Sequence, residues 1–354
     1  MKAPIASAGP RGTASNPPNR FETLSLERDA DWDPEEDPLP RTRFFKDRTS
    51  SIITRNDSPD IGFETSINPY RGCEHGCIYC YARPFHEYLG FSSGLDFESK
   101  IMVKEDAPKL LRNELSSPKW KPQLIAISGV TDCYQPVERK LKLTRGCLEV
   151  LAEFRNPVTI VTKNFLVTRD IDYLSELARH QAAAVYISLT TLDLELRKVM
   201  EPRTSPPLAR LAAINALSKA GIPVGVLLAP IVPGLTDHEI PRLLDAAAKA
   251  GAREAGYIVL RLPHAVAPLF EQWLQAHFPD KKDKVLNRVR GMRHGKLNDP
   301  AFGKRMRGEG IFAEQISQMF EIAKRKAGLA ERMPELSTKA FRRPAGTQMD
   351  FFET

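Results

Sequence analysis

An alternation of short apolar runs with longer stretches of helical periodicity begins near residue 62 and continues to about residue 260. Strands that alternate with helices lie parallel, because each helix carries the chain back across the sheet before the next strand begins. Six strand–helix units are visible. The pattern therefore predicts an α/β fold, a partial (β/α)6 barrel, and not the closed barrel of eight units.

The predicted strands cover residues 63–68, 124–128, 158–162, 185–189, 224–228 and 257–260, and the predicted helices cover 104–115, 143–154, 171–178, 206–220 and 237–250. Ser205 is expected to cap the helix that begins at Pro206, and Gly221 and Gly251 are expected to end their helices. Reactive groups gather in the loops after the C-terminal ends of such strands, so functional residues are expected there.

Composition divides the rest of the chain. Residues 1–47 are rich in Pro, Gly, Asn, Arg and Asp, which predicts a disordered arm or one draped over the surface. Residues 48–280 contain the barrel, 281–330 form a basic helical appendage with an amphipathic helix near 316–327, and 331–354 are expected to be a flexible tail. The sequence has no run of about 18 apolar residues and no signal peptide, so a cytoplasmic protein without membrane contact is expected.

Three of the five cysteines lie in one loop directly after the first predicted strand. Cys73, Cys77 and Cys80 have the spacing C-x3-C-x2-C, which suits metal binding better than disulfides. A four-iron cubane needs four ligands, so three thiolates leave one iron open to another molecule. The loop therefore predicts a [4Fe–4S] cluster with one reactive iron.

Structural zinc is the main alternative, with His75 or His86 completing a set of three cysteines and one histidine. Zinc sites usually combine two short ligand turns from separated segments, whereas here all three thiols lie in one loop. Only Cys133 and Cys147 remain outside the loop, which is too few for a second cluster held entirely by cysteine.

The cysteine loop, with Tyr79 just before its last cysteine, resembles the defining motif of the radical S-adenosylmethionine (SAM) superfamily. The resemblance covers about residues 60–280. It implies that the amino and carboxylate groups of SAM chelate the fourth iron, and that an electron from the cluster cleaves SAM to a 5′-deoxyadenosyl radical. The flanks 70–73 and 80–82 and the segment 128–136 are similar to the branch containing spore photoproduct lyase and relatives labelled DNA repair photolyase.

The same resemblance implies the residues that bind SAM. They are Tyr79, Ser128, Gly129, Thr131, Lys163 and Ser188. The segment 128–131 stands where many members carry a glycine-rich stretch, but it lacks their usual glutamate. Lys163 could equally be an ordinary surface lysine.

Two further residues are candidates with open alternatives. Cys133 follows the second strand, and its resemblance to a cysteine of spore photoproduct lyase implies that it returns a hydrogen atom to the product radical; the alternative is a small apolar loop residue. Arg203 is a candidate for cofactor binding whose fork could hold a carboxylate or phosphate; the alternative is a salt bridge to Glu201 or Asp193.

The formal charge of +7 is concentrated in one window. Residues 281–310 contain ten Lys or Arg and three Asp or Glu. The net charge of this window is therefore +7, the same as that of the whole chain. Such a segment is typical of a polyanionic partner, although it can also be a solvated face or pair with acidic parts of the barrel. The candidate nucleic-acid contacts are Arg288, Arg290, Arg293, Lys304, Arg305 and Arg307.

The C-terminal tail contains Gln348, Met349, Phe351 and Phe352, which is similar to the short peptides that bind bacterial sliding clamps. The alternative is that the two phenylalanines pack back on the barrel. Clamp docking is therefore a prediction that concerns these four residues only.

Three functional hypotheses follow. The first is a radical SAM enzyme that repairs or modifies a base in nucleic acid, with DNA favoured and with an electron supplied by a reductant such as flavodoxin or ferredoxin. The second keeps the radical chemistry on a protein or small metabolite. The third is a non-enzymatic iron–sulfur or zinc protein that binds nucleic acid.

Overall fold

The computed structural model describes residues 11–21, 41–329 and 333–344. Within these residues the strands, in chain order, are Arg43–Lys46 (β1), Ile53–Arg55 (β2), Thr65–Ile67 (β3), Tyr70–Arg71 (β4), Lys100–Val103 (β5), Ile125–Ile127 (β6), Val158–Thr162 (β7), Ala183–Ser188 (β8), Val224–Ile231 (β9) and Glu254–Val259 (β10).

The α-helices of the same residues are Leu95–Ser99 (α1), Ala107–Ser116 (α2), Glu138–Leu141 (α3), Leu143–Phe154 (α4), Ile171–Arg179 (α5), Leu194–Met200 (α6), Pro207–Lys219 (α7), Ile240–Ala250 (α8), Val266–His277 (α9), Pro279–Gly291 (α10) and Ile311–Lys326 (α11). Short 3₁₀ helices cover Arg83–Leu89, Phe165–Asp170 and Asp237–Glu239. None of the helices in the described part of the chain is long and apolar enough to cross a membrane.

The main sheet has seven strands in the order β10-β9-β8-β7-β6-β3-β2. Six of them, β3 and β6 to β10, are parallel neighbours, which confirms the prediction of a partial barrel built from six units. Aliphatic side chains of these strands, such as Ile125, Ile127 and Ile160, lie in the core between sheet and helices. The C-terminal ends of all six strands therefore meet at one edge.

Two parts of the sheet structure are absent from the sequence prediction. The short strand β2 pairs antiparallel with β3 and forms one edge of the main sheet. A separate sheet has the order β1-β5-β4, with β1 parallel to β5 and β4 antiparallel to it. This small sheet lies on the chain segments that flank the cysteine loop.

The helices α7 and α8 end where the sequence predicts, but α7 begins differently from the prediction. Gly251 ends α8 in the left-handed conformation. The helix α7 begins at Pro207, with Pro206 as its N-cap residue, so the prediction that Ser205 caps this helix is wrong. The Ser205 hydroxyl instead accepts a hydrogen bond from the Phe165 amide and donates one to the side chain of Asn164.

Parts of the expected arm and tail lie against the barrel. Residues 11–21 and strand β1 belong to the arm predicted at 1–47, yet they contact the body of the protein, with Thr13 and Asn19 buried. Residues 333–344 cross the N-terminal ends of the strands. There the Ser337 amide donates to the Gln181 carbonyl and the Arg342 amide to the Phe154 carbonyl.

Candidate metal centre

The three clustered cysteines occupy the loop that follows β3 at the C-terminal edge of the sheet. Cys73 and Cys77 are buried, Cys80 is partly buried, and all three are free thiols. Burial raises the pKa of each thiol, and the neighbouring acidic groups, including the other two cysteines, raise that of Cys73 further. Thiolates in such a place need a bound positive charge, so the donor set fits an iron–sulfur cluster.

The two histidines proposed for a zinc site differ, because both ring nitrogens of His75 have partners whereas the buried Nε2 of His86 has no hydrogen-bond partner among the described residues. His75 Nδ1 lies 3.3 Å from the Asp132 carboxylate, and its Nε2 lies 3.1 Å from the Asn164 side-chain nitrogen. His86 packs edge-on against Phe97. Within the described ranges, no three side chains of His, Cys, Asp or Glu converge as ligands of a single ion would. Three thiols in one loop are the donor set that a four-iron cluster takes from the protein when one iron is left open.

Buried side chains hold the backbone of the cysteine loop in place. The side-chain amide of Gln135 makes two hydrogen bonds to the loop. Its nitrogen donates to the Gly72 carbonyl at 3.2 Å, and its oxygen accepts from the backbone N–H of Glu74 at 2.9 Å. The guanidinium of Arg83 donates twice to the Cys77 carbonyl, at 2.9 and 3.0 Å. Fixing the backbone fixes the directions of the thiols before a cluster binds.

The Arg83 guanidinium forms a fully buried ion pair with Glu98 at 2.6 Å. The same carboxylate accepts hydrogen bonds from the backbone amides of Gly12 and Thr13, at 2.9 and 3.1 Å. A Cβ atom at Gly12 would lie only 1.6 Å from the Gly76 carbonyl oxygen, so only glycine fits there. The N-terminal segment 11–21 thus lies directly on the cysteine loop, and Glu98 connects the two.

A second buried network holds Tyr79, the aromatic residue of the motif. Its hydroxyl donates to the buried carboxylate of Glu201, which also accepts from Thr190 and from Arg210. The Lys163 ammonium lies 5.8 Å from the centre of the Tyr79 ring. The structure therefore brings Tyr79 and Lys163 together beside the cysteines.

Lys163 lies at the C-terminal end of β7, and Asp132 fixes its backbone. Burial alone would raise the pKa of Asp132, but His75 and hydrogen bonds from the Lys163 amide and the Thr162 hydroxyl lower it to about 2. The Lys163 ammonium is 3.4 Å from the Ala229 carbonyl oxygen. Asp132 is thus a permanent anion that joins the cysteine loop to the end of β7.

The remaining candidates for cofactor binding lie at the same edge. Ser128 has a positive φ of 85°, and its hydroxyl accepts from the Cys133 amide. Thr131 is buried and donates to the Tyr70 carbonyl, and the Gly129 carbonyl accepts from the Tyr81 hydroxyl. Ser188 is the last residue of β8 and is buried.

Arg203 and Cys133 have neighbours that the sequence did not indicate. One Nη of Arg203 pairs with Glu74 at 2.9 Å, and within the described residues the guanidinium pairs with neither Glu201 nor Asp193, so its role in cofactor binding stays a prediction. Cys133 has no exposed surface and lies in the core between sheet and helices. Its backbone amide donates to the Ser128 hydroxyl in the loop after β6, and its role as a hydrogen-atom donor stays a prediction.

The basic residues of the appendage divide into structural and accessible groups. Arg293 is 1% exposed and donates to the carbonyls of Val259, Leu260 and Arg305, so the prediction that it contacts nucleic acid is wrong. Arg305 pairs with Asp60 through two bonds of 2.5 and 2.7 Å.

Four cations of the appendage keep some exposure. Arg288 pairs with Asp237, Arg290 donates to the side chain of Asn287, Lys304 pairs with Glu309, and Arg307 stacks on Tyr257. The proposed clamp-binding residues Gln348, Met349, Phe351 and Phe352 lie outside the described residues, so that prediction stays open.

Several supporting residues have no sequence signal of their own. Glu98 and Glu201 look like ordinary helix or loop carboxylates in the sequence, and only their burial against arginines reveals their role. Gln135 stands in the conspicuous segment 128–136, which could have drawn attention to it. Arg261, after β10, was not singled out by any pattern.

Comparisons with known proteins agree with this geometry. The family model for the Radical SAM superfamily matches residues 67–247. An uncharacterized protein of Mycobacterium bovis is 36% identical over 250 residues, which cover 70% of this chain and 72% of that protein. A variant of spore photoproduct lyase shares the fold with a TM-score of 0.56 at 16% identity, over 81% of this chain and 79% of that chain. A further variant with bound AdoMet and dinucleoside spore photoproduct has a TM-score of 0.54 at 17% identity, over 80% and 78% of the two chains.

Proposed function

Because this chain belongs to the radical SAM superfamily, we propose that it applies the radical chemistry of that superfamily to a base in nucleic acid, with DNA favoured, as a repair or modification enzyme. The family assignment makes it a radical SAM enzyme whose cofactors are a [4Fe–4S] cluster and SAM. The nucleic-acid substrate is the part that we infer here.

Cys73, Cys77 and Cys80 would hold the cluster, and Lys163 would bind a carboxylate or ribose oxygen of SAM. When bound, the cluster and SAM together supply a 5′-deoxyadenosyl radical that abstracts a hydrogen atom from the substrate. The protein's own task is to position these groups. Glu201 holds the Tyr79 ring beside the cysteines.

The observation that carries the nucleic-acid proposal is the position of the basic appendage. The Val259 amide of β10 donates to the Met306 carbonyl, and the Leu262 amide donates to the Leu297 carbonyl, so the segment 297–306 runs along the last strand of the barrel. Arg305 of this segment pairs with Asp60, which follows the edge strand β2 at the opposite side of the sheet. The segment 297–306, with Lys304 and Arg305 against Asp299, therefore bridges the open side of the partial barrel between the two edges of the main sheet.

A polyanion lying on this segment would be held by contacts to its phosphates, and such contacts are independent of sequence. A base inside a duplex cannot reach a pocket at the strand ends, so it would have to be unpaired or turned out of the stack. The likeness in fold to a spore photoproduct lyase that holds a dinucleoside photoproduct supports this choice of substrate.

The proposal is tested with anaerobically reconstituted protein, SAM, a chemical or flavodoxin-type reductant and defined damaged oligonucleotides. We expect conversion of one lesion class, with release of 5′-deoxyadenosine or its reuse. The Cys77→Ala variant is the control and should show neither. Release of 5′-deoxyadenosine without binding of any oligonucleotide at low salt would instead favour a protein or small-metabolite substrate.

A further inference from the structure

Arg261 lies at the C-terminal end of the last strand, two residues after β10 ends. The centre of its guanidinium is 4.7 Å from the centre of the Tyr81 ring. Tyr81 follows Cys80 directly, and its hydroxyl donates to the Gly129 carbonyl at 2.5 Å. Arg261 therefore lies where the last strand, the cysteine loop and the loop after β6 come together.

The guanidinium of Arg261 has no hydrogen bond and no ion pair to any residue that the structure describes, although it is partly buried. Its arginine neighbours are satisfied: Arg305 has the carboxylate of Asp60, and Arg293 has three backbone carbonyls. Burial lowers the pKa of Arg261, and the charge of Arg305 lowers it further. Arginine stays protonated in proteins, so Arg261 keeps a positive charge that no carboxylate of the described residues pairs with directly, and Asp60 acts on it only through space.

Stacking on Tyr81 determines how this charge can be used. A guanidinium that lies on an aromatic ring keeps its N–H groups in its own plane, so they remain available to a planar or tetrahedral oxyanion. The Tyr81 side chain is itself 41% exposed. An exposed aromatic ring beside a free arginine is typical of sites that bind single-stranded nucleic acid, where bases stack and phosphates pair with the cation.

We propose that Arg261 binds a backbone phosphate of the nucleic acid at the barrel mouth and thereby positions the target nucleotide next to the cysteine loop. This inference rests on the proposed function and names the residue that recognises its substrate class. A phosphodiester is favoured over a lone carboxylate because the exposed cations Lys304 and Arg307 lie on the neighbouring segment and would meet further phosphates of the same strand.

The test measures fluorescence anisotropy of a labelled single-stranded thymidine oligonucleotide of about 12 nucleotides, within the usual site size, on the reconstituted protein. Arg261→Gln should bind about tenfold more weakly, and its slope of log affinity against log salt should fall by about 0.7, the share of one phosphate contact. Arg261→Lys should keep the salt slope and lose only part of the affinity, because lysine keeps the charge but not the forked geometry.

The matched control is Arg179→Gln. Arg179 is an exposed arginine at the end of α5, paired with Glu176 and remote from the strand ends. The Arg179→Gln variant should bind the oligonucleotide with the affinity and salt slope of the wild-type protein. Thermal unfolding and iron content of each variant show whether it is folded, and Arg261→Lys keeps the comparison open if the glutamine variant is not.

Equal affinity and equal salt slope for Arg261→Gln and the wild-type protein would overturn the inference and leave the proposed function standing. A wild-type protein that releases no 5′-deoxyadenosine from SAM under reducing conditions would instead contradict the proposed function itself. If Arg261→Gln and Arg261→Lys both bind more weakly but the salt slope of Arg261→Gln equals that of the wild-type protein, then Arg261 acts through packing. That result would also overturn the inference.

Discussion

The buried ion pair between Arg83 and Glu98 predicts a large loss of stability when Glu98 is replaced by alanine. Both side chains have no exposed surface, and their charged atoms are 2.6 Å apart. Removing one partner of a buried pair leaves the other charge without compensation, which costs about 3–5 kcal/mol. Glu98→Ala also removes the acceptor for the amides of Gly12 and Thr13, so we expect the upper part of this range.

The assay is urea unfolding of anaerobically purified protein, with the free-energy difference taken from the shift of the midpoint. Asp245→Ala is the matched control, because Asp245 forms an exposed pair with Lys249 and such pairs contribute less than about 1 kcal/mol. Glu98→Ala should also lower the iron content, since Arg83 holds the Cys77 carbonyl. A loss no larger than that of Asp245→Ala would refute the reasoning. In the double variant with Arg83→Met, the total cost should be smaller than the sum of the two single changes.

Two further predictions concern buried groups. Burial lowers the pKa of His86 to about 4, so below about pH 6.5 the unfolded chain takes up a proton that the folded chain does not. This difference should lower the free energy of unfolding by about 3 kcal/mol between pH 6.5 and 4. In urea unfolding, His86→Phe should remove this contribution, and a variant that loses as much stability over this pH range as the wild-type protein would contradict the prediction. Cys133→Ala should cost about 1 kcal/mol of stability. If Cys133 returns the hydrogen atom to the product radical, the same change should lower the yield of repaired oligonucleotide, and an unchanged yield would contradict that role.

Local patterns in the sequence were sufficient for the central sheet and for the cysteine loop. The predicted bounds of the strand Val158–Thr162 and of the helix Leu143–Phe154 agree with the structure to the residue. These elements have a clear apolar period and definite ends. The spacing of the cysteines is likewise a local feature, so it could be interpreted without knowing what surrounds it.

Features that depend on pairing between distant segments could not be predicted. Strand β1 pairs with β5, as Arg43 does with Lys100, and nothing in either segment alone indicates the other. The same holds for side-chain partners: Arg293 and Arg305 look alike in a basic run, yet one is buried among carbonyls and the other pairs with Asp60. Charge counting gave the right overall character of the appendage but could not separate its structural arginines from its accessible ones.

The central claim is that Cys73, Cys77 and Cys80 hold a four-iron cluster whose open iron binds SAM. The most direct test is electron paramagnetic resonance of the anaerobically reconstituted, reduced protein, recorded before and after addition of SAM, with iron counted per chain. The account predicts about four irons per chain, a cluster signal that changes when SAM is added, and loss of that change in Cys77→Ala. A protein that holds zinc without iron, or a cluster signal that SAM leaves unchanged, would contradict it.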